Sequence, residues 1–425
     1  MSSETSTYPK ALTPRLRFPE FKAHWHQVPL GKLAKPISDR VGAAECVPYT
    51  VTSGVGLVSQ NEKFGRTIAG NSLGSYIRLL RDDFAYNKSS TKSFPEGYVA
   101  RLTVEVSAAV PKSIFTCFRP DSSKIEPSYL DYLFANNLHG KWLRKFLSVG
   151  ARAHGSLNVN DEDLWALPVP MPSGPLSGAE QMKIAECLTS LDGFIAAEAR
   201  RLEALRAHKK ALMQNLFPRE GESRPRLRFP EFRESAEWQE TALERVIEIA
   251  SGQVDPREPP YSGLPSIGGE NIESHTGKLS GVRTAREIGV ISGKYAFGPE
   301  DILYSKIRPA LNKVAMPEFE GICSADIYPI RPSTTELRRS YLFLILQSEA
   351  FLRYATKHSA RGKIPKINRE ALMAYRVLIP SAEEQQRIAD CLSSLDVLIA
   401  AISQHYDTFR NHKKGLMQQL FPSPN

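Results

Sequence analysis

The sequence predicts an α+β chain. Two similar mixed α/β domains are joined by two long antiparallel coiled-coil helices, and the halves are related by a pseudo-twofold. Three observations predict this. Residues 180–218 return as residues 384–422 at a constant offset of 204, with 22 of 39 positions identical. The motif Pro-Arg-Leu-Arg-Phe-Pro-Glu-Phe stands unchanged at 14–21 and 225–232, and Trp25 and Trp238 follow the two copies. Between 22–176 and 233–380 the likeness is weaker but alignable: Asp82-Asp83-Phe84-Ala85-Tyr86-Asn87-Lys88 matches Glu300-Asp301-Ile302-Leu303-Tyr304-Ser305-Lys306. Such internal repetition governs the reading of everything else.

Taken in order, the chain divides into an N-terminal segment carrying the motif (1–21), a first domain (22–176), a first helix (177–218), a connector (219–232), a second domain (233–380) and a second helix (381–422). Ser177-x-x-Glu180 and Ser381-x-x-Glu384 predict capping boxes, in which the serine and the glutamate satisfy each other's backbone donors. Pro218 and Pro422 stop the helices. Apolar residues alternate four and three apart: Ile184, Leu188, Leu191, Ile195, Leu202 and Leu205 in one copy, Ile388, Leu392, Leu395, Ile399, Ile402 and Phe409 in the other. A 3.5-residue period held this long is a coiled-coil seam. Each helix would be roughly 58 Å long at about 1.5 Å per residue. A compact domain of this size is only about 40 Å across. Parallel helices would make it bridge their full length, whereas antiparallel helices bring its entry and exit together. The globular stretches carry strand signatures at 47–51 and 97–106 and helical ones at 141–147 and 341–354.

A chain of 425 residues with net charge +9 has room for several domains and tolerates polyanions. Five cysteines without a C-x-x-C pair indicate a reducing compartment and no structural zinc. No signal-peptide run and no apolar stretch long enough to span a bilayer stands in the sequence, so a cytoplasmic protein is expected. There is no phosphate loop and no dinucleotide turn, and the nine histidines show no zinc-ligand spacing. Glu258-Pro259-Pro260-Tyr261 imitates the loop that holds the target amine in amino-methyltransferases, but its flanks are polar and its first residue is Glu. No catalytic residue and no metal ligand is therefore assigned.

What remains is a set of polar and basic loops at equivalent places. The stretch carrying Tyr86, Asn87, Lys88, Ser89, Ser90 and Lys92 is equivalent in place to the one carrying Tyr304, Ser305, Lys306, Arg308, Asn312 and Lys313. Arg152 and His154 precede the first helix as Arg361, Lys363 and Lys366 precede the second. Lysine and arginine neutralise phosphates, and arginine and asparagine read base edges, so all seventeen are candidate DNA contacts.

The whole chain resembles a specificity subunit of a type I restriction-modification system. The resemblance rests on Glu-Gln-x-x-Ile-Ala-x-Cys-Leu opening both helices, the two Leu-Phe-Pro endings, and Asp301-Ile302-Leu303-Tyr304-Ser305. It implies two target-recognition domains, each reading half of a split double-stranded DNA site. It also implies helices that act as spacer and as dock for modification subunits, which methylate adenine with S-adenosylmethionine, and for motor-nuclease subunits. Two equivalent helix faces predict two modification subunits per chain, with Asp192 and Asp396 or Arg206 and Arg410 as contacts. No cofactor is expected in this chain. Two other readings stay open from the residues alone: a coiled-coil adaptor without sequence-specific DNA binding, and a fused DNA methyltransferase.

Overall fold

The computed structural model describes residues 12–146, 157–219, 221–359 and 364–422. These form two compact units: one from residues up to 199 together with those from 405 onward, the other from 200–404. The two long helices, Ser177–Leu216 and Ala382–Leu420, each contribute to both.

In the first unit, strands Ala34–Pro36, Phe115–Pro120, Phe84–Asn87 and Tyr98–Arg101 lie side by side in that order, all antiparallel. A second sheet runs Gly56–Ser59, Val47–Thr52, Ser107–Val110, Ile77–Leu80, with its central pair parallel. Trp25–Pro29 pairs with Pro168–Pro172 where the chain enters and leaves. The second unit repeats this topology element for element. Its first sheet is Ile247–Ile249, Ile327–Pro332, Ile302–Ser305, Val314–Ala315, and its second is Arg283–Thr284, Pro265–Ile267, Gly321–Ser324, Lys294–Phe297, again with a parallel central pair. Gln239–Ala242 pairs with Arg376–Ile379. The 141–147 helix is Leu138–Leu143, and the helical 341–354 stretch is two helices, Arg339–Gln347 and Glu349–Lys357, broken where Ser348 caps the second.

The repeated residues are those that close each unit. Glu180 is buried and accepts two bonds from Arg17 of the short motif, both 2.7 Å, and one from the Trp25 indole at 3.2 Å. Glu384 accepts two from Arg228, 2.8 and 2.7 Å, and these bonds hold that guanidinium above its ordinary pKa. The neighbouring glutamines cap domain helices: Gln181 accepts the Glu126 N–H and Gln385 the Arg338 N–H. The Leu-Phe-Pro endings supply a core ring, Phe421 against Tyr129 in the first unit and Phe217 against Tyr341 in the second. The motif also reaches the helix ends through its backbone, Leu16 N–H to the Gln419 carbonyl and Leu227 N–H to that of Asn215.

These contacts correct the predicted capping boxes. The Ser177 hydroxyl donates to the Pro172 carbonyl, and only the Ser381 oxygen accepts the N–H of its glutamate, at 3.3 Å. Both glutamate side chains face the buried arginine instead, because a desolvated charge pair binds a carboxylate more strongly than one exposed backbone N–H.

Within each unit the two helices run antiparallel. In the first, Ile184 and Leu188 share a core with Met417 and Leu420, and Phe194 stacks on Phe409 at 6.1 Å. Leu191, Leu202, Ile388, Leu392 and Ile402 are buried; Ile195, Leu205, Leu395, Ile399 and Phe409 are half-buried. Lys413 pairs with Asp192 at 2.5 Å in the first unit, and Lys209 with Asp396 at 2.6 Å in the second. Asp192 and Asp396, expected as contacts for another subunit, thus spend their carboxylates inside the chain. Arg206 and Arg410 remain exposed, Arg410 lying over the Tyr406 ring.

Candidate nucleic-acid interface

In both units the central strand of the first sheet delivers its chain to the candidate loops. An aspartate anchors its start. Asp83 accepts two bonds from Arg119 and the Leu80 N–H; Asp301 accepts two from Arg331 and the Gly298 N–H. Burial pushes the Asp301 carboxyl up despite Arg331. The strand then emits loop 88–97 in the first unit and loop 306–313 in the second. Each is braced from the side by the segment leading to the next helix: the Lys88 carbonyl accepts Leu157 N–H and the Lys306 carbonyl accepts Ile367 N–H.

The structure sorts the predicted contacts by what their side chains already do. Tyr86, Tyr304 and Asn312 are buried and face the protein, correcting their assignment to DNA, whereas Ser305, also buried, lines a recess beside Arg308. Tyr86 donates to the Glu96 carbonyl, Tyr304 packs edge-on against Phe351, the Ser305 hydroxyl donates to the Ile307 carbonyl, and Asn312 donates to the Gln347 carbonyl. Burial raises both phenols well above their ordinary pKa. Three lysines are tied down. Lys88 donates to the Val159 carbonyl and pairs with Asp161, Lys306 donates to the Ala325 carbonyl over the Tyr328 ring, and Lys313 donates to the Gly269 carbonyl. They order the loops. Asn87 shares this role, its oxygen accepting the Ser89 N–H.

Lys92, Arg308 and Lys366 point into solvent, and Ser89 and Ser90 are half-buried. Arg152, His154, Arg361 and Lys363 lie outside the described residues. Beside Arg308, the second unit has a recess of about 380 Å³ whose wall includes Glu270, Lys313, Ser324 and Asp326. Its acceptors, Glu270, Ser324 and Asp326, were missed in the sequence because no local spacing links Glu270 to the turn that carries Ser324 and Asp326. Carboxylate and hydroxyl acceptors beside guanidinium and ammonium donors can engage base edges as well as phosphates.

Two topologically equal heads on repeated helices, differing in the loops they present, define a double-headed recognition protein. Among the described residues no group of His, Cys, Asp or Glu is placed to hold a metal ion, and no helix is long and apolar enough to cross a membrane. Comparison with known proteins agrees. A family model described as the type I restriction modification DNA specificity domain matches residues 236–407. The specificity subunit of the Escherichia coli type I restriction enzyme EcoDI is 30% identical over 319 residues, 70% of this chain and 68% of that protein. The putative MjaX specificity subunit of Methanocaldococcus jannaschii is 26% identical over 310 residues, 71% and 69% of the two chains. Among solved structures, the S subunit of a type I restriction-modification system from M. genitalium has the same fold. It aligns with a TM-score of 0.59 over 97% of this chain and 100% of that one, at 15% identity. The chain belongs to the family of type I restriction-modification specificity subunits. It is accordingly a non-catalytic component and not an enzyme.

Proposed function

We propose that this chain is the DNA sequence-recognition subunit of a type I restriction-modification complex in the cytoplasm, each unit reading one half of a bipartite double-stranded site. The long helices set the separation of the halves and dock two modification subunits, to which the restriction subunits attach. S-adenosylmethionine enters with the modification subunits, and the methyl transfer is theirs. The observation that carries this reading is an invariant frame with variable loops. Asp83–Arg119 and Asp301–Arg331 anchor equivalent strands, while loop 88–97 and loop 306–313 differ in length, sequence and bonding. A frame kept constant while its loops diverge is the arrangement that lets two heads prefer different sequences.

The test is a domain exchange. Residues 22–176 are replaced by the matching domain of a relative, and the methylated sites are mapped in cells that carry the modification subunits. One half-site should change and the other should persist. A swap that alters both halves would refute independent reading.

A further inference from the structure

Arg308 holds a backbone conformation that its side chain makes costly. Five described non-glycine residues have positive φ: Asp82, Asn137, His275, Arg308 and Asn312. Four of them are Asp, Asn or His, the types that tolerate the left-handed region, where Asn and Asp hydrogen-bond locally. Arg308, at φ 47°, is the exception, and glycine would hold the same turn without steric cost.

The turn itself is fixed from several sides. Arg308 N–H donates to the Pro365 carbonyl at 2.7 Å, Leu311 N–H to the Arg308 carbonyl and Asn312 N–H to that of Pro309. The Asn312 side chain is buried on the Gln347 carbonyl. The guanidinium this platform carries is exposed and, among the described residues, makes no hydrogen bond or ion pair. A side chain kept against backbone strain, on a rigid base, with its donors unspent, marks a position where function outweighs local preference. The same place in the first unit is Ser90, which has no positive φ, so among the described residues the device belongs to the second head.

We infer that Arg308 is a base-reading residue of the second unit, taking the O6 and N7 acceptors of a guanine in the major groove. This rests on the reading of the chain as a DNA-recognition subunit and names the chemistry of one of its contacts. A guanidinium offers two parallel donors at the spacing of those acceptors, and a bidentate pair needs the positional constancy that the braced turn provides. A phosphate contact needs neither, since a flexible lysine serves as well.

The experiment uses the full chain assembled with the modification subunits of its own system. Bound sequences are selected from a DNA library randomised across both half-sites, and the melting temperature of each variant is measured alongside. Wild type should select a bipartite sequence with guanine in one half. Arg308→Gly should melt no lower than wild type, keep the other half-site, and lose discrimination at that one position by about 10-fold or more. Arg308→Lys should keep most of the overall affinity but lose the same discrimination. If Arg308→Gly selects the wild-type sequence, or weakens all sequences equally with a shallower salt dependence, Arg308 is not a base reader. Discrimination retained by Arg308→Lys would likewise overturn the bidentate contact. If wild type selects no bipartite sequence, the reading of the whole chain fails instead, and the two failures are told apart.

Discussion

Replacing Arg228 with alanine tests whether the repeated motif is a structural clasp. The guanidinium is 9% exposed and Glu384 is 1% exposed, and the pair shares two bonds of 2.8 and 2.7 Å. The same guanidinium donates to the Ser235 and Ala236 carbonyls at 3.0 and 3.1 Å. Truncation leaves an uncompensated carboxylate in the core, which costs about 3–5 kcal/mol. For a unit of this size, ~4 kcal/mol lowers the melting temperature by roughly 8–16 °C. Glu384→Gln should cost a similar amount, because it strands the arginine. Arg228→Met with Glu384→Met removes both charges and should restore most of the loss, since well-packed apolar substitutes for a buried pair are close to neutral. Calorimetry and urea denaturation of wild type, Arg228→Met, Glu384→Met and the double variant complete the cycle. A coupling below about 1 kcal/mol, the range of exposed surface pairs, would show that the clasp is ornamental and that the motif persists for another reason. The Arg17–Glu180 pair, with the Trp25 indole in place of the two carbonyls, should behave alike in the first unit.

Two further outcomes follow from the helices. Asp396→Lys sets two ammonium groups together at the half-buried Lys209 and should destabilise the second unit by about 1 kcal/mol. Adding Lys209→Asp should restore its denaturation midpoint, and a double variant no better than the single one would show that the pair does not fix the register. One heptad inserted after Leu205 and one after Phe409 lengthens each helix by about 10 Å, some three base pairs. Both insertions fall inside the 192–209 and 396–413 intervals, so each interhelical ion pair keeps its partners. The methylated sites should keep both halves and gain a few base pairs between them. An unchanged spacer in an active variant means that the helices are not the ruler.

The repeat and its period were legible because they are properties of the chain itself. The roles of several residues within it were not. Ser-x-x-Glu reads locally as a capping box, yet the partner of Glu180 lies 163 residues away and that of Glu384 lies 156 away, distances no local spacing encodes. Tyr86 and Tyr304 were misplaced for a reason the sequence did contain. On a strand, residues two apart share a face, so Tyr86 follows Phe84 and Tyr304 follows Ile302 into the core. Lys88 and Lys306 stand one residue beyond their strands, where composition cannot tell a phosphate ligand from a lysine that ties down its own loop. Arg308 was named for its charge. Its distinction from the other cations lies in a backbone angle, which only the fold reveals.

Met417, Leu420 and Phe421 complete the core of the unit built from the beginning of the sequence, while the other unit lies wholly within 200–404. Domains ordinarily fold in the order of their synthesis. Here the parts of the second unit are complete in the chain before those of the first. On the ribosome the second head has all of its parts first, and the first head waits, with Tyr129 and its neighbours unroofed, until the last helix emerges. A message cut short before residue 417 therefore yields a protein with one finished head and one apolar wound.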